Sequence, residues 1–235
     1  MKRFYKVVTS CAHADGGYEI HLDGQPVKTS KKNILRAPNA DVADHVVQEW
    51  ADQPEEIRPD EMPFTQFLST CCDTSAEERA DITAQVMRYL DTDLLCYRTT
   101  NPEDIAQKQC DTWDPLLDIY LKRYDQNINT TTSIAAIKQE DTVHAFMQTE
   151  IAKLDDVRFT VLQVLTSLSG SLLLAFLFVQ KEIDPDTLFH AAYVEEIHKD
   201  TLYDAEKYGK DPHLEKKQTA MQRELQAASK ILLSS

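Results

Sequence analysis

The chain has 235 residues, 42% of them hydrophobic and 27% charged, with a formal net charge of −14. That length fits one large domain or two small ones, and the apolar content is enough to fill a core. The acidic balance repels nucleic-acid backbones and anionic membrane surfaces, which argues against a nucleic-acid-binding role.

The N-terminal forty residues read as β-structure. Strands are expected over residues 4–9, 18–22, 25–29 and 33–36. Tyr18, Ile20 and Leu22 alternate with polar residues, and Asp23-Gly24 supplies the turn of a hairpin running on to Val27 and Thr29. From Asp41 the apolar period changes to that of a helix carrying Val42, His45, Val46, Glu49 and Trp50, with Asn39 or Asp41 as N-cap. Pro54, Pro59 and Pro63 then force an extended corner, because the residue before each proline is pushed out of the α region.

The remainder reads as helical over residues 64–73, 77–90, 102–124, 139–153, 156–167, 171–180, 185–208 and 213–233. Residues 94–98 and 133–137 are expected to return to strand and extend the N-terminal sheet. The fold class is α+β: a small β-rich domain over residues 1–63, then a larger, mainly helical domain over 64–235. Residues 159–180 carry no charge and are long enough to span a membrane. Their Thr, Gln, Ser and Gly content favours instead a buried core helix, or two helices meeting at Ser169-Gly170-Ser171, without stable membrane insertion.

Few residues of the chain form a pattern that carries chemistry. The run Gly24-Gln25-Pro26-Val27-Lys28-Thr29 ends like a phosphate-binding loop but lacks its glycine spacing, and Pro26 removes a donor. The seven histidines are scattered, so no metal site is expected. Five cysteines, Cys11, Cys71, Cys72, Cys96 and Cys110, form no CxxC pair and read as buried thiols of a reducing compartment. Asp91 and Asp93 are the one carboxylate pair worth weighing. A small hydrolase using them in an interdomain cleft is the alternative function, against a plain helix-end turn. Trp50 and Trp113, the only tryptophans, read as core residues or interface anchors. Asp114-Pro115 reads as a helix start.

Taken in order, these pieces resemble a known family. The pieces are Arg3-Phe4-Tyr5-Lys6; Leu22-Asp23-Gly24-Gln25-Pro26-Val27-Lys28-Thr29; Glu49-Trp50 with Gln53, Ile57, Pro59, Met62 and Pro63; Tyr89-Leu90; Thr92-Asp93-Leu94-Leu95-Cys96-Tyr97-Arg98; Gln109 with Trp113-Asp114-Pro115-Leu116-Leu117; and Gly170-Ser171-Leu172. The set is similar to the ATP synthase assembly chaperones of mitochondria and alphaproteobacteria that handle the alpha subunit of the catalytic head. Near the C-terminus the family's Trp-Gly-x-Asp is replaced by Tyr208-Gly209-Lys210-Asp211, and Asp204 stands where a glutamine is expected.

The resemblance implies a non-enzymatic, ATP-independent chaperone without cofactor, a monomer. It would hold an unassembled alpha subunit and shield its subunit interface until the beta subunit takes its place. Client-binding or functional candidates on that basis are Trp50, Glu195, Glu196, Asp200 and Asp204, with locking of the two domains as the alternative role for Trp50. With no apolar signal core or long Arg/Ser-rich presequence in the given sequence, the expected location is bacterial cytoplasm, or the mitochondrial matrix for a mature form.

Overall fold

The computed structural model describes residues 1–202 and 212–233. They form an α+β protein with a β-rich N-terminus and divide into two compact units. One comprises Met1–Arg79, Asp155–Val161 and Arg223–Ser235; the other comprises Ala80–Leu154 and Leu162–Gln222. Residue 63, where the sequence places a boundary, starts a helix inside the first unit.

In the first unit, β2 (Tyr18–Leu22) is the centre of a four-stranded antiparallel sheet. It pairs along its whole length with β1 (Val8–Ala12). Its other edge is shared by β3 (Gln25–Pro26) at one end and β4 (Arg36–Ala37) at the other. The β2–β3 turn forms as expected: Asp23 and Gly24 take φ of 48° and 81°, the left-handed pair that matches the twist of a two-residue hairpin. The Asp23 carboxylate then accepts the N–H groups of Lys6 (3.1 Å) and Val7 (2.8 Å), which hold its pKa below the usual range. With those donors taken by a side chain, the strand expected over 4–9 starts only at Val8. Residues 27–35 fold back through Thr29 N–H to Asn33 O (2.9 Å) and Leu35 N–H to Val27 O (2.9 Å), so β3 and β4 are shorter than expected.

Helix α1 (Ala40–Ala51) is capped by Asn39, whose side chain accepts Val42 N–H at 3.0 Å. It buries Val42, Ala43, Val46 and Trp50 and packs on β1 and β2. Glu49, on the same helix, accepts Phe64 N–H (2.7 Å) and Thr65 N–H (2.8 Å), so it caps α2 (Pro63–Asp73), which opens on Pro63. The corner between them is set by Gln53, whose side chain accepts Arg58 N–H at 2.7 Å.

The second unit is built round α7 (Leu172–Val179), all eight residues of which are buried. Each such Leu, Phe or Val contributes roughly 1.5–3 kcal/mol. The apolar run does break at Ser169-Gly170-Ser171: α6 (Asp156–Ser169) ends, Gly170 takes φ of 70°, and Ser171 caps α7. Among the described residues no helix is long and apolar enough to cross a membrane. The Asp93 carboxylate sits at the α7 N-terminus, fully enclosed. It accepts Ser171 Oγ–H (2.6 Å), Leu173 N–H (3.0 Å) and Leu95 N–H (3.1 Å).

That arrangement corrects the strand expected over 94–98. Leu94–Cys96 is a 3-10 turn, because Leu95 N–H goes to Asp93 and Leu94 N–H to Gly170 O (3.3 Å). Tyr97 makes only a bridge to Thr131, residues 133–137 form no strand, and neither segment joins the N-terminal sheet. Helix α3 (Ala76–Met87) continues as a 3-10 turn over Arg88–Asp91. Helix α4 (Glu103–Tyr124) contains Pro115 in its interior rather than starting there. The cost of its missing donor is met by burial of Trp113, Leu116 and Tyr120 on the same helix. Helices α5 (Asp141–Ala152), α8 (Pro185–Ala192), α9 (Val194–Leu202) and α10 (Pro212–Leu233) follow. The single helix expected over 185–208 is split at Tyr193, whose ψ of 22° ends α8.

Asp93→Asn offers one acceptor where two oxygens now serve donors on both sides, leaving an N–H facing an N–H. It is expected to cost about 2–3 kcal/mol in denaturant unfolding. A second expectation concerns Glu224 on α10. Burial, and then the charge of Glu49, raises its pKa to about 7. The folded chain therefore holds a proton that the unfolded chain releases above the ordinary carboxylate range. Stability from this group is full at acid pH and lost as pH rises through about 7. Glu224→Gln should raise the thermal midpoint at pH 8 and leave it nearly unchanged at about pH 4, below the ordinary carboxylate pKa.

Candidate functional site

Three of the five sequence candidates lie on α9. Glu196 and Asp200 are four residues apart, on one face, and both are partly exposed. Glu195 turns toward α4: its carboxylate accepts Gln109 Nε2–H at 2.8 Å and lies 3.7 Å from Lys199. Gln109 is 2% exposed and also accepts Thr99 N–H at 2.8 Å, so its amide is locked and Glu195 is aimed. A second tie joins the helices where His198 Nε2 meets Asp104 at 2.8 Å, and that hydrogen bond lowers the Asp104 pKa. The fourth candidate, Asp204, lies outside the described residues, as do Tyr208, Gly209 and Asp211.

Trp50 belongs to the other unit. It is 9% exposed, its ring meets Tyr5 edge to face at 5.5 Å, and its carbonyl accepts the Tyr5 hydroxyl at 2.7 Å. Arg3 adds hydrogen bonds to Ala51 O (3.0 Å) and Gln53 O (2.8 Å). The surroundings of Trp50 thus fasten the N-terminal segment to the end of α1. Trp113 is 1% exposed and donates its indole N–H to Ala191 O at 2.8 Å. The Arg98 guanidinium lies 4.9 Å from the Trp113 ring centre and pairs with Asp114 at 3.0 Å.

The acid pair does not converge on a cleft. Asp93 has no exposure, and Asp91 accepts Gln139 N–H (2.9 Å) and contacts His144 Nε2 (2.9 Å). Nor are all five thiols buried. Cys96 is; Cys71 and Cys72 are half-buried, with burial pushing Cys71 up to about 11. Cys11 and Cys110 are exposed, because each falls on the outward side of its strand or helix. The described residues hold no cluster of three or more His, Cys, Asp or Glu that could hold a metal ion. The residue that sequence reasoning passed over as a partner for the acidic helix is Gln109. Its signal was a polar side chain four residues before Trp113, on the buried side of α4.

Comparison with known proteins agrees with this architecture. The ATP12 chaperone protein family matches residues 2–120. A candidate chaperone from Agrobacterium tumefaciens is 30% identical, with a TM-score of 0.85 over 99% of this chain and 85% of that one. Atp12 from Paracoccus denitrificans is 27% identical, with a TM-score of 0.82 over 99% of this chain and 97% of its own. Fold and motifs together define a protein of the chaperone class. The chain belongs to the ATP12 chaperone family.

If Gln109 aims Glu195, Gln109→Leu leaves Thr99 N–H and the Glu195 carboxylate without their partner. The expected loss is about 1–3 kcal/mol of stability. Glu196→Gln, on the free face, should stay within about 0.5 kcal/mol of the parent in the same unfolding assay.

Proposed function

We propose that this chain is an ATP-independent assembly chaperone of ATP synthase. It binds the unassembled alpha subunit of the catalytic head and shields its subunit interface until the beta subunit replaces it. Membership of the ATP12 chaperone family supports the assembly role. The observation that carries the contact surface is the acidic face of α9, where Glu196 and Asp200 are partly exposed and Glu195 is held in place by Gln109.

The physical logic is that of a competitive cap. An unassembled subunit exposes an apolar interface that aggregates. A folded cap must hold it well enough to protect it, yet lose to the permanent partner. Charges at the rim of such a contact raise association rates and select the partner. Release by competition requires no bound nucleotide. In this reading the chain is a monomer without cofactor, acts without catalysis, binds no nucleic acid, and works in bacterial cytoplasm or, as a mature form, in the mitochondrial matrix. Trp50 serves it by fastening the N-terminal segment. The hydrolase alternative gains no support, since Asp93 is enclosed.

The test is co-purification with separately expressed alpha and beta subunits, with light scattering of the alpha subunit as the measure of protection. Wild-type chain should retain alpha and suppress its aggregation, and should not retain beta. The double variant Glu196→Lys, Asp200→Lys should bind alpha about tenfold or more weakly at low salt, the difference narrowing as salt is raised. Equal retention of beta, or full protection by the double variant, would sink the reading.

A further inference from the structure

The N-terminal sheet has one protected side and one unprotected side. β1 pairs with β2 through Val8↔Leu22, Thr9↔His21, Ser10↔Ile20, Cys11↔Glu19 and Ala12↔Tyr18, and with no other strand among the described residues. The hydrogen-bond parity is fixed at both ends. Asp23 N–H reaches Val7 O at 2.9 Å and His13 N–H reaches Gly17 O at 3.0 Å, so the odd residues of β1 face β2. On β2, Ile20 spends its N–H and C=O on Leu35 and Val27, away from β1. The backbone N–H and C=O groups of Val8, Ser10 and Ala12 therefore point to the free edge.

Natural edge strands are commonly guarded by charge, proline or a bulge. The other side of this sheet is so guarded, by Pro26 in β3 and by Lys28, Lys31 and Lys32 in the hairpin that follows. β1 reads Val-Thr-Ser-Cys-Ala, with no charge and no proline, in a chain of net charge −14. Just before it, Phe4 is 65% exposed and Val7 58% exposed.

We propose that the free edge of β1 receives an extended segment of the client as an added strand. A row of outward donors and acceptors, alternating at strand spacing, is complemented by another extended backbone. The lack of charge on the edge, with exposed Phe4 and Val7 at its start, fits an uncharged, apolar segment of the kind an unassembled subunit exposes. The identity of the client rests on the function proposed above; the geometry of the edge does not.

The experiment is residue-resolved hydrogen exchange on the full chain, alone and saturated with purified alpha subunit. In the free chain Thr9 and Cys11 should exchange slowly, and Val8, Ser10 and Ala12 fast. On binding, those three should slow at least tenfold. Ser10→Pro removes one outward donor and leaves the β2 ladder intact, so it should weaken binding by about tenfold at an unchanged thermal midpoint. Thr9→Lys, a charge on the exposed face of the strand, keeps the test available should the proline variant not fold, and should also weaken binding. Binding without slowed exchange at the three residues, or with both variants at wild-type affinity, overturns strand addition and leaves the chaperone function standing. Absence of alpha binding overturns both. Slow exchange at those residues in the free chain that deepens with concentration would assign the edge to a second copy, and also overturns the proposal.

Discussion

A single buried carboxylate organises the second unit. Asp93 is taken wholly out of water, which costs several kcal/mol unless the charge is met by fixed donors. It is met by the Ser171 hydroxyl and by N–H groups at the start of α7, where the helix dipole favours a negative group. Burial still pushes its pKa up to about 6, so the donors do not fully offset the loss of water. The return is that α7 can be entirely apolar. Its far end closes on itself: Lys181 takes φ of 61°, and Glu182 N–H reaches back to Leu177 O at 2.9 Å. With both ends satisfied, α7 needs no contact with water. Tyr120 can then donate its hydroxyl to Leu173 O at 2.7 Å and set its ring against Tyr124 and Phe176, which Phe146 joins in turn.

What the sequence made legible follows from how local each signal is. The Asp23-Gly24 turn, the Asn39 cap and the break at Gly170 are each decided within a few residues, and each forms where it was expected. The failures share one cause. Leu94, Leu95 and Tyr97 favour a strand by composition, but the donors of Leu94 and Leu95 are claimed by Gly170 and Asp93, which meet only in the tertiary fold. The short first strand has the same origin, since Lys6 and Val7 give their N–H groups to a side chain sixteen or more positions away. Pro115 suggests a helix start by its usual habit, but burial of Trp113, Leu116 and Tyr120 on one face of α4 outweighs the lost hydrogen bond.

The motif set that identified the family turns out to be mostly architecture. Asp23 ties down the N-terminal segment, Glu49 caps α2, Trp113 and Asp114 frame Arg98, and Gly170 permits the turn into α7. Such residues are recognisable because buried donors, caps and positive φ leave few substitutes. A contact face has weaker local demands. Glu196 and Asp200 look, in sequence, like any solvated helix face, and nothing in Val-Thr-Ser-Cys-Ala marks it as an unguarded edge until its partner strand is known. The candidate site was therefore reachable from the sequence only through the resemblance, and the pairing of Gln109 with Glu195 and the β1 edge only through the structure.

The two surfaces differ in the physics they bring to the proposed function. Charges on α9 act at a distance of about one Debye length, so they bias encounter and partner choice more than they hold a complex together. A strand edge acts only at contact, through several main-chain hydrogen bonds each worth about 1 kcal/mol net. Neither requires a deep apolar pocket on the chaperone. Both leave the contact exchangeable, because a permanent subunit that buries a larger and more apolar area can outcompete them without an energy source. An acidic chain whose proposed contact surfaces are a helix face and a strand edge, apart from the buried core, suits such exchange: the cap stays folded while the client leaves.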